Sequence, residues 1–437
     1  MKNIMNQVME NITKNKAEGD LIFSTSKSLK MSAQRGEINE YKVSSAQILG
    51  VRVIKEGRVG ISYTESLDNE SLDLLVKQAL QNAEVSEANA NEGILKLSGH
   101  GVDDLVIDEK EVDIAYKTKK ALELESEPKR LESRTVAVPY NSYSEGEYES
   151  YYLSSNGRST QSKDKSYTIT SSALLDDNGK KANYYDYNIS HTFEGLQWKS
   201  VVDTSLEHAR NLLTEKPLPT GKYSVQFTVD SLKSLMDCFS NFYSAKSSID
   251  KVNPWAAKIG EEVISKDLTI DDEPLYKDAF RISKFDSEGV ERKSLSLVKD
   301  GVLRSFYHNS NTAKVFNTQT TGHASRGPSS SLNVSGTHLV INGKNKKPLP
   351  PKYLEVIQMD GLYSGANRVT GQFSVAIKGY VWENGQKTMT FGNITLSGNL
   401  IEMLKNVEVV GEKLVSSRDE SFFTVPMMFH GVSVAGS

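Results

Sequence analysis

Ile4, Met5, Val8, Met9 and Ile12 recur at helical spacing through "MKNIMNQVMENITKNK", with polar residues between them, and predict an amphipathic opening helix. The polar interruptions exclude a signal-peptide core, which needs an unbroken apolar run. Strand-like runs follow around 21–23 and 41–45. "ILGVRVI" (48–54), "KEGR" and "VGISYTE" (59–65) then read as a hairpin. In "DNESLDLLVKQALQNAE", Leu72, Leu75, Val76, Ala79, Leu80 and Ala83 share one stripe, and Asp68 or Asn69 is placed to cap the helix. A further helix is expected over 111–124, several antiparallel strands over 135–202, and a closing helix over 203–213.

"EKPLPTGK" (215–222) packs two prolines and a glycine into eight residues and marks a domain boundary. Beyond it β patterns dominate. "SLSLVKDGVLRSFY" (294–307) and "YVWENGQKTMTF" (380–391) are hairpins whose Asp-Gly and Asn-Gly turns tolerate positive φ. "NKKPLPPK" (345–352) reads as a surface loop, "NLIEMLKNV" (399–407) as a short helix, and "FFTVPMMFHGVSVA" (422–435) as a terminal strand. The expected fold class is α+β in two domains. A mixed α/β N-terminal domain covers 1–214, a linker 215–222, and a C-terminal domain on a large antiparallel, barrel-like sheet 223–437.

Composition narrows the partners. The 52 basic residues are interspersed with 56 acidic ones and no polybasic run stands out, which argues against nucleic acid and anionic membranes. "YNSYSEGEYESYY" (140–152) is aromatic, but its acidic neighbours have the wrong sign for stacking along a phosphate backbone. No stretch approaches the ~18 apolar residues of a membrane span. One cysteine permits no internal disulfide, so a cytoplasmic location is expected and Asn333-Val334-Ser335 carries no glycosylation message.

The candidate chemistry is sparse. Cys238 lies on the flank of an amphipathic helix whose apolar stripe runs Leu232, Leu235, Met236, Phe239, Phe242, Tyr243. No base or positive group stands beside it in sequence, so it reads as small packing rather than a nucleophile. The seven histidines, His100, His191, His208, His308, His323, His338 and His430, show no metal-ligand spacing. A site assembled from distant residues would draw on His308, His323 and His338; the scatter instead predicts separate surface histidines. "TIDDEP" (269–274) is the densest acidic cluster and reads as a solvated turn with Pro274 ending a strand. No GxSxG, phosphate loop or dinucleotide fingerprint is present.

Several stretches, in order, resemble one family. "LTIDDEP" (268–274), "FDSEGVERKSLSLVKDGVLRSFYHNSNTAK" (285–314), "TGHASRG" (321–327), "VTGQFSVAIKGYVWENGQ" (369–386), "ITLSGNLIEML" (394–404) and "GVSVAG" (431–436) resemble the C-terminal domain of the TldD/PmbA family. "GVRVIKEGRVGISYTESLDNESLDLLVKQAL" (50–80) is similar to its N-terminal hairpin and helix. The resemblance implies two branches. TldD-type members are metallopeptidases with HExxxH on the helix opening the C-terminal domain and a cysteine near the C-terminus. PmbA (TldE) members lack both and pair with TldD; an older label is "modulator of DNA gyrase".

The metal helix corresponds by position to 232–243 here, where "MDCFSN" (236–241) has no histidine. The cysteine region corresponds to about 415–423, "SSRDESFFT", without cysteine. No catalytic, cofactor-binding or metal residue is therefore carried over, and no cofactor is expected. Zinc is expected in a TldD-type partner. The resemblance further implies a heterodimer with that partner, a homodimer in isolation, and unstructured peptide as substrate, as in peptide-antibiotic maturation or antitoxin degradation. Three readings stay open: an accessory subunit of a metallopeptidase, an independent peptidase with an unrecognised site, and a non-enzymatic regulator acting on a toxin–antitoxin or gyrase-linked partner.

Overall fold

The computed structural model describes residues 1–104 and 110–436. Its first half is one eight-stranded sheet with helices packed on it. Helix α1 (Lys2–Lys14) buries Met5, Val8, Met9 and Ile12, four of the five predicted positions, while Ile4 packs at the edge of the same core. Strands β1 (Glu18–Gln34), β2 (Glu37–Lys55) and β3 (Arg58–Thr64) follow, and helix α2 (Asn69–Val85) starts at Asp68, whose side chain accepts from the Ser71 amide. Strand β4 (Gly99–Asp104), helix α3 (Ile114–Leu131), strands β5 (Thr135–Ala137), β6 (Ser142–Ser154), β7 (Arg158–Asp177) and β8 (Lys180–Ser190), and helix α4 (Trp198–Leu213) complete this half. The sheet order is β3-β2-β1-β6-β7-β4, with β5 and β8 also pairing with β7. β8 pairs with β7 along its length, so its other edge has no strand partner among the described residues.

The second half is β-rich. Strand β9 (Gly221–Phe227) pairs in parallel with Lys352–Asp360 and antiparallel with Met427–Ala435. Met427–Ala435 continues to Gln386–Asn399, then Gln372–Glu383, which returns to Lys352–Asp360. That circuit closes a five-stranded barrel-like ring, which confirms the α+β class with its barrel-like sheet. A second sheet of six strands, including Leu268–Asp272 and Leu339–Gly343, packs alongside. One apolar core fills the ring and the space under helix α5 (Val229–Cys238). Both predicted hairpin turns have φ > 0 at their central residues, Asp300-Gly301 and Asn384-Gly385, as primed two-residue turns require. No helix among the described residues is long and apolar enough to cross a membrane.

Four expectations are corrected. The runs at 21–23 and 41–45 belong to strands of 17 and 19 residues. The exposed stretches beyond those runs, 26–28 and 46–47, lie away from any core, so no apolar alternation marks them. α3 and α4 extend past the predicted 111–124 and 203–213, because Trp198, Val201 and Val202 already pack as helix. The helix at the second-half entrance stops at Cys238 and continues as a 3₁₀ turn, Ser240–Tyr243, which keeps Phe242 and Tyr243 buried. Finally, 422–435 is two strands, Phe422–Thr424 and Met427–Ala435, in different sheets. Pro426 between them has no N–H to continue a ladder.

Candidate functional site

α5 leaves β9 at Thr228, whose hydroxyl accepts from the Ser231 amide as an N-cap. Leu232, Leu235 and Met236 turn into the core, so Asp230, Lys233, Ser234 and Asp237 form the outward face. The turn 417–421 packs against that face. The structure therefore joins the two segments, 232–243 and 415–423, that the sequence comparison set apart by almost two hundred residues. Lys233 joins them: its Nζ lies 2.7 Å from Asp237 Oδ2 and 3.3 Å from Asp419 Oδ2.

Arg418 makes the second junction. Its backbone N–H donates to Asp230 Oδ1 (3.0 Å), and its guanidinium donates to the Tyr184 hydroxyl (3.3 Å) and lies 2.9 Å from Asp186 Oδ1 on β8. Burial alone would lower the Arg418 pKa; Tyr184, Asp186 and Asp230 outweigh it and hold it above its ordinary value. Burial opposes ionisation of Asp419 as well, but the Ser417 hydroxyl (2.6 Å), Lys233 and the Ser421 hydroxyl (2.9 Å) keep its pKa low. Tyr187 is pushed up to about 12 by burial and by the neighbouring Asp419 and Asp230. A cavity of about 180 Å³ opens over these pairs, between the tyrosines of β8, the outer face of α5 and Ile357–Met359.

These residues fit a metal ion poorly. The position between Asp237 and Asp419 is held by the Lys233 ammonium. Among the described residues, no group of three or more His, Cys, Asp or Glu side chains is arranged to hold a metal. Cys238 is half-buried against the C-terminal core, with Sγ 3.8 Å from the Leu362 carbonyl.

The histidine and TIDDEP expectations need correction. His308, His323 and His338 are not surface residues: their exposures are 5, 0 and 7 %. Asp272 is the last residue of a strand and fully buried, not part of a solvated turn. It accepts from Tyr307 Oη (2.9 Å) and the Thr337 amide (2.7 Å) and pairs with His323 Nε2 (3.0 Å). Burial alone would raise the Asp272 pKa; His323 and Thr337 lower it overall. Burial lowers His308 to about 4 and also lowers His338, whose Nε2 donates to the Arg281 carbonyl. All three are buried, and among the described residues they join no group of side chains arranged to hold a metal. What sequence reading missed is a buried ionic knot between the halves: Asp20 and Arg52 from β1 and β2 with Glu288 and Arg326. Its members lie up to 306 residues apart, so no local motif announces it.

Comparison with known proteins defines the class first. Three models of a PmbA/TldA metallopeptidase match in chain order: domain 1 over residues 19–83, the central domain over 107–213 and the C-terminal domain over 220–436. The chain belongs to the PmbA/TldD metallopeptidase family, on its PmbA/TldE branch. It is 24 % identical to the metalloprotease PmbA homolog of Haemophilus influenzae, over 93 % of this chain and 90 % of that one. To the metalloprotease PmbA of Escherichia coli O157:H7 it is 22 % identical, over 91 % and 88 %. A metalloprotease TldD homolog of Haemophilus influenzae aligns over 36 % of this chain and 34 % of its own, at 26 % identity. The fold matches a Thermotoga maritima protein described as a modulator of a DNA gyrase, with a TM-score of 0.85, 23 % identity and coverage of 99 % and 100 %. TldE from Thermococcus kodakarensis matches with a TM-score of 0.83, 19 % identity and the same coverage.

Proposed function

We propose that this chain is the metal-free subunit of a two-protein peptidase. It holds an extended, unstructured peptide while a TldD-type partner supplies the zinc-activated water. The observation that carries the reading is Lys233: its ammonium sits between Asp237 and Asp419, on the helix that corresponds to the partner type's metal helix. A fixed cation of this kind satisfies the carboxylates but polarises no water for attack. The open edge of β8 beside the site offers backbone N–H and C=O groups to an added strand, the usual way an extended chain is captured. In isolation the chain forms a homodimer, and it works in the cytoplasm on peptides such as antibiotic precursors or antitoxins. Independent catalysis finds no support at the buried histidines, because His323 and His308 are closed off from solvent.

Size-exclusion chromatography of this chain mixed with a TldD-type protein tests the assembly. A one-to-one complex is expected, and two unchanged peaks at micromolar concentrations would refute it.

A further inference from the structure

Strand β3 covers only part of β2. It pairs with residues 49–55, so the run from Glu40 to Ile48 has β1 on one side and no strand on the other among the described residues. Alternate backbone N–H and C=O groups along that edge are therefore open to an added strand. Neither a proline nor a bulge blunts the run: 40–48 contains no proline, and the register shift against β1 falls at Asn39, before it begins.

The two faces of this edge differ. On one, Tyr41 and Val43 stand opposite Met31 and Leu29 of β1, which are buried in the core under α3. The apolar surface continues past the cover of that core, since Tyr41 is 54 % and Val43 69 % exposed. On the other face, Glu40 and Lys42 flank Tyr41. Glu40 pairs with Lys30 of β1 at 2.8 Å. Lys42 lies directly opposite Lys30, a like charge, and pairs with no carboxylate among the described residues.

A second copy supplies what both faces lack. The sequence Glu40-Tyr41-Lys42 is its own complement when two strands run antiparallel. With Tyr41 opposite Tyr41 of the other copy, each Lys42 meets a Glu40 and the two rings lie side by side. A slide of two residues either way sets Lys42 against Lys42 or Glu40 against Glu40, so charge also selects the register.

We propose that the free edge of β2 is the surface on which two copies of this chain meet, giving one sheet continuous across a two-fold axis at Tyr41. The contact is isologous, the closed form that most homodimers take. The proposal rests on the homodimer reading above and adds its surface and register. It leaves the edge of β8, at the opposite margin of the sheet, to peptide.

Sedimentation equilibrium of the full-length chain between about 1 and 100 μM tests it, and a dimer is expected. Lys42→Glu sets Glu40 against a like charge across the axis, and Glu40→Lys does the same to Lys42. Each single variant should raise the dimer dissociation constant at least about tenfold, with the circular dichroism spectrum unchanged. An equimolar mixture of the two variants should restore the wild-type value, because every lysine then faces a carboxylate. Single variants that dimerise like the wild type would overturn the edge and leave the homodimer standing. So would weakened variants that mixing does not rescue. A wild-type chain still monomeric at about 100 μM would bring down the homodimer and the edge together. If that monomer binds a TldD-type protein and both single variants lose the binding, the edge belongs to that partner and the proposal is overturned.

Discussion

Replacing Asp20 by asparagine should cost about 3–5 kcal/mol of stability, because it leaves buried charge uncompensated. Asp20 is fully buried on β1 and serves two guanidiniums. One carboxylate oxygen accepts from Arg52 Nε (3.1 Å) and Nη2 (2.5 Å), the other from Arg326. Arg52 also reaches Glu288 Oε1 at 3.2 Å, and Glu288 in turn accepts from the Ser310 amide at 2.9 Å. In Asp20→Asn, both guanidiniums would lose the carboxylate they share, and Glu288 pairs directly with Arg52 alone. Arg52 would keep only its contact to Glu288, and Arg52 Nη1 and Arg326 Nε and Nη1 already lack hydrogen-bond partners among the described residues.

The knot also ties β1 and β2 to the C-terminal half, so the loss should loosen the two halves from each other. Urea unfolding followed by intrinsic fluorescence measures both effects, as a lower midpoint and a broader or split transition. The cost should persist in about 1 M salt, since buried pairs are screened far less than surface ones. A change below about 1 kcal/mol, the scale of surface pairs, would refute the reasoning. So would a cost that salt erases.

Three further outcomes are expected. Cys238→Ala should cost about 1 kcal/mol of packing and leave peptide binding and any activity intact; total loss of function in a folded variant would show that the thiol is chemical. His308 and His208, both lowered by burial to about 4, bind protons in the unfolded chain before the folded one. Stability should therefore fall as pH drops from about 6.5 to 4, by up to about 1.4 kcal/mol per unit for each histidine, and His308→Asn should flatten that slope in a pH series of urea midpoints. After dialysis, elemental analysis should find far less than one zinc per chain, since a catalytic site needs about three protein ligands; one tightly held zinc would overturn the reading of Lys233.

Local signals in the sequence were legible where one face of an element is buried. The α1 stripe, the α2 cap at Asp68 and the Asp300-Gly301 and Asn384-Gly385 turns each follow from a few adjacent residues. The long middles of β1 and β2 were not legible, because strands without a packed face carry no period-two apolar pattern. The site behaved similarly. Sequence located 232–243 and 415–423 separately, but the Lys233–Asp419 pair that joins them depends on tertiary packing. Asp272 looked solvated because acidic residues cluster around it, yet Tyr307, His323 and Thr337 arrive from up to 65 residues away to satisfy it. The burial of His308, His323 and His338 is hidden from the sequence for the same reason. A buried polar residue is recognised by its partners, and those partners are distant in sequence.

The central claim is that this chain holds peptide and a partner cuts it. A labelled, unstructured peptide incubated with this chain, with a TldD-type protein, and with both, each with and without a chelator, tests it most directly. No cleavage is expected from this chain alone, and cleavage by the mixture should exceed that of the partner alone and stop when chelator is added. Chelator-insensitive hydrolysis by this chain alone would contradict it, as would a mixture no more active than the TldD-type protein by itself.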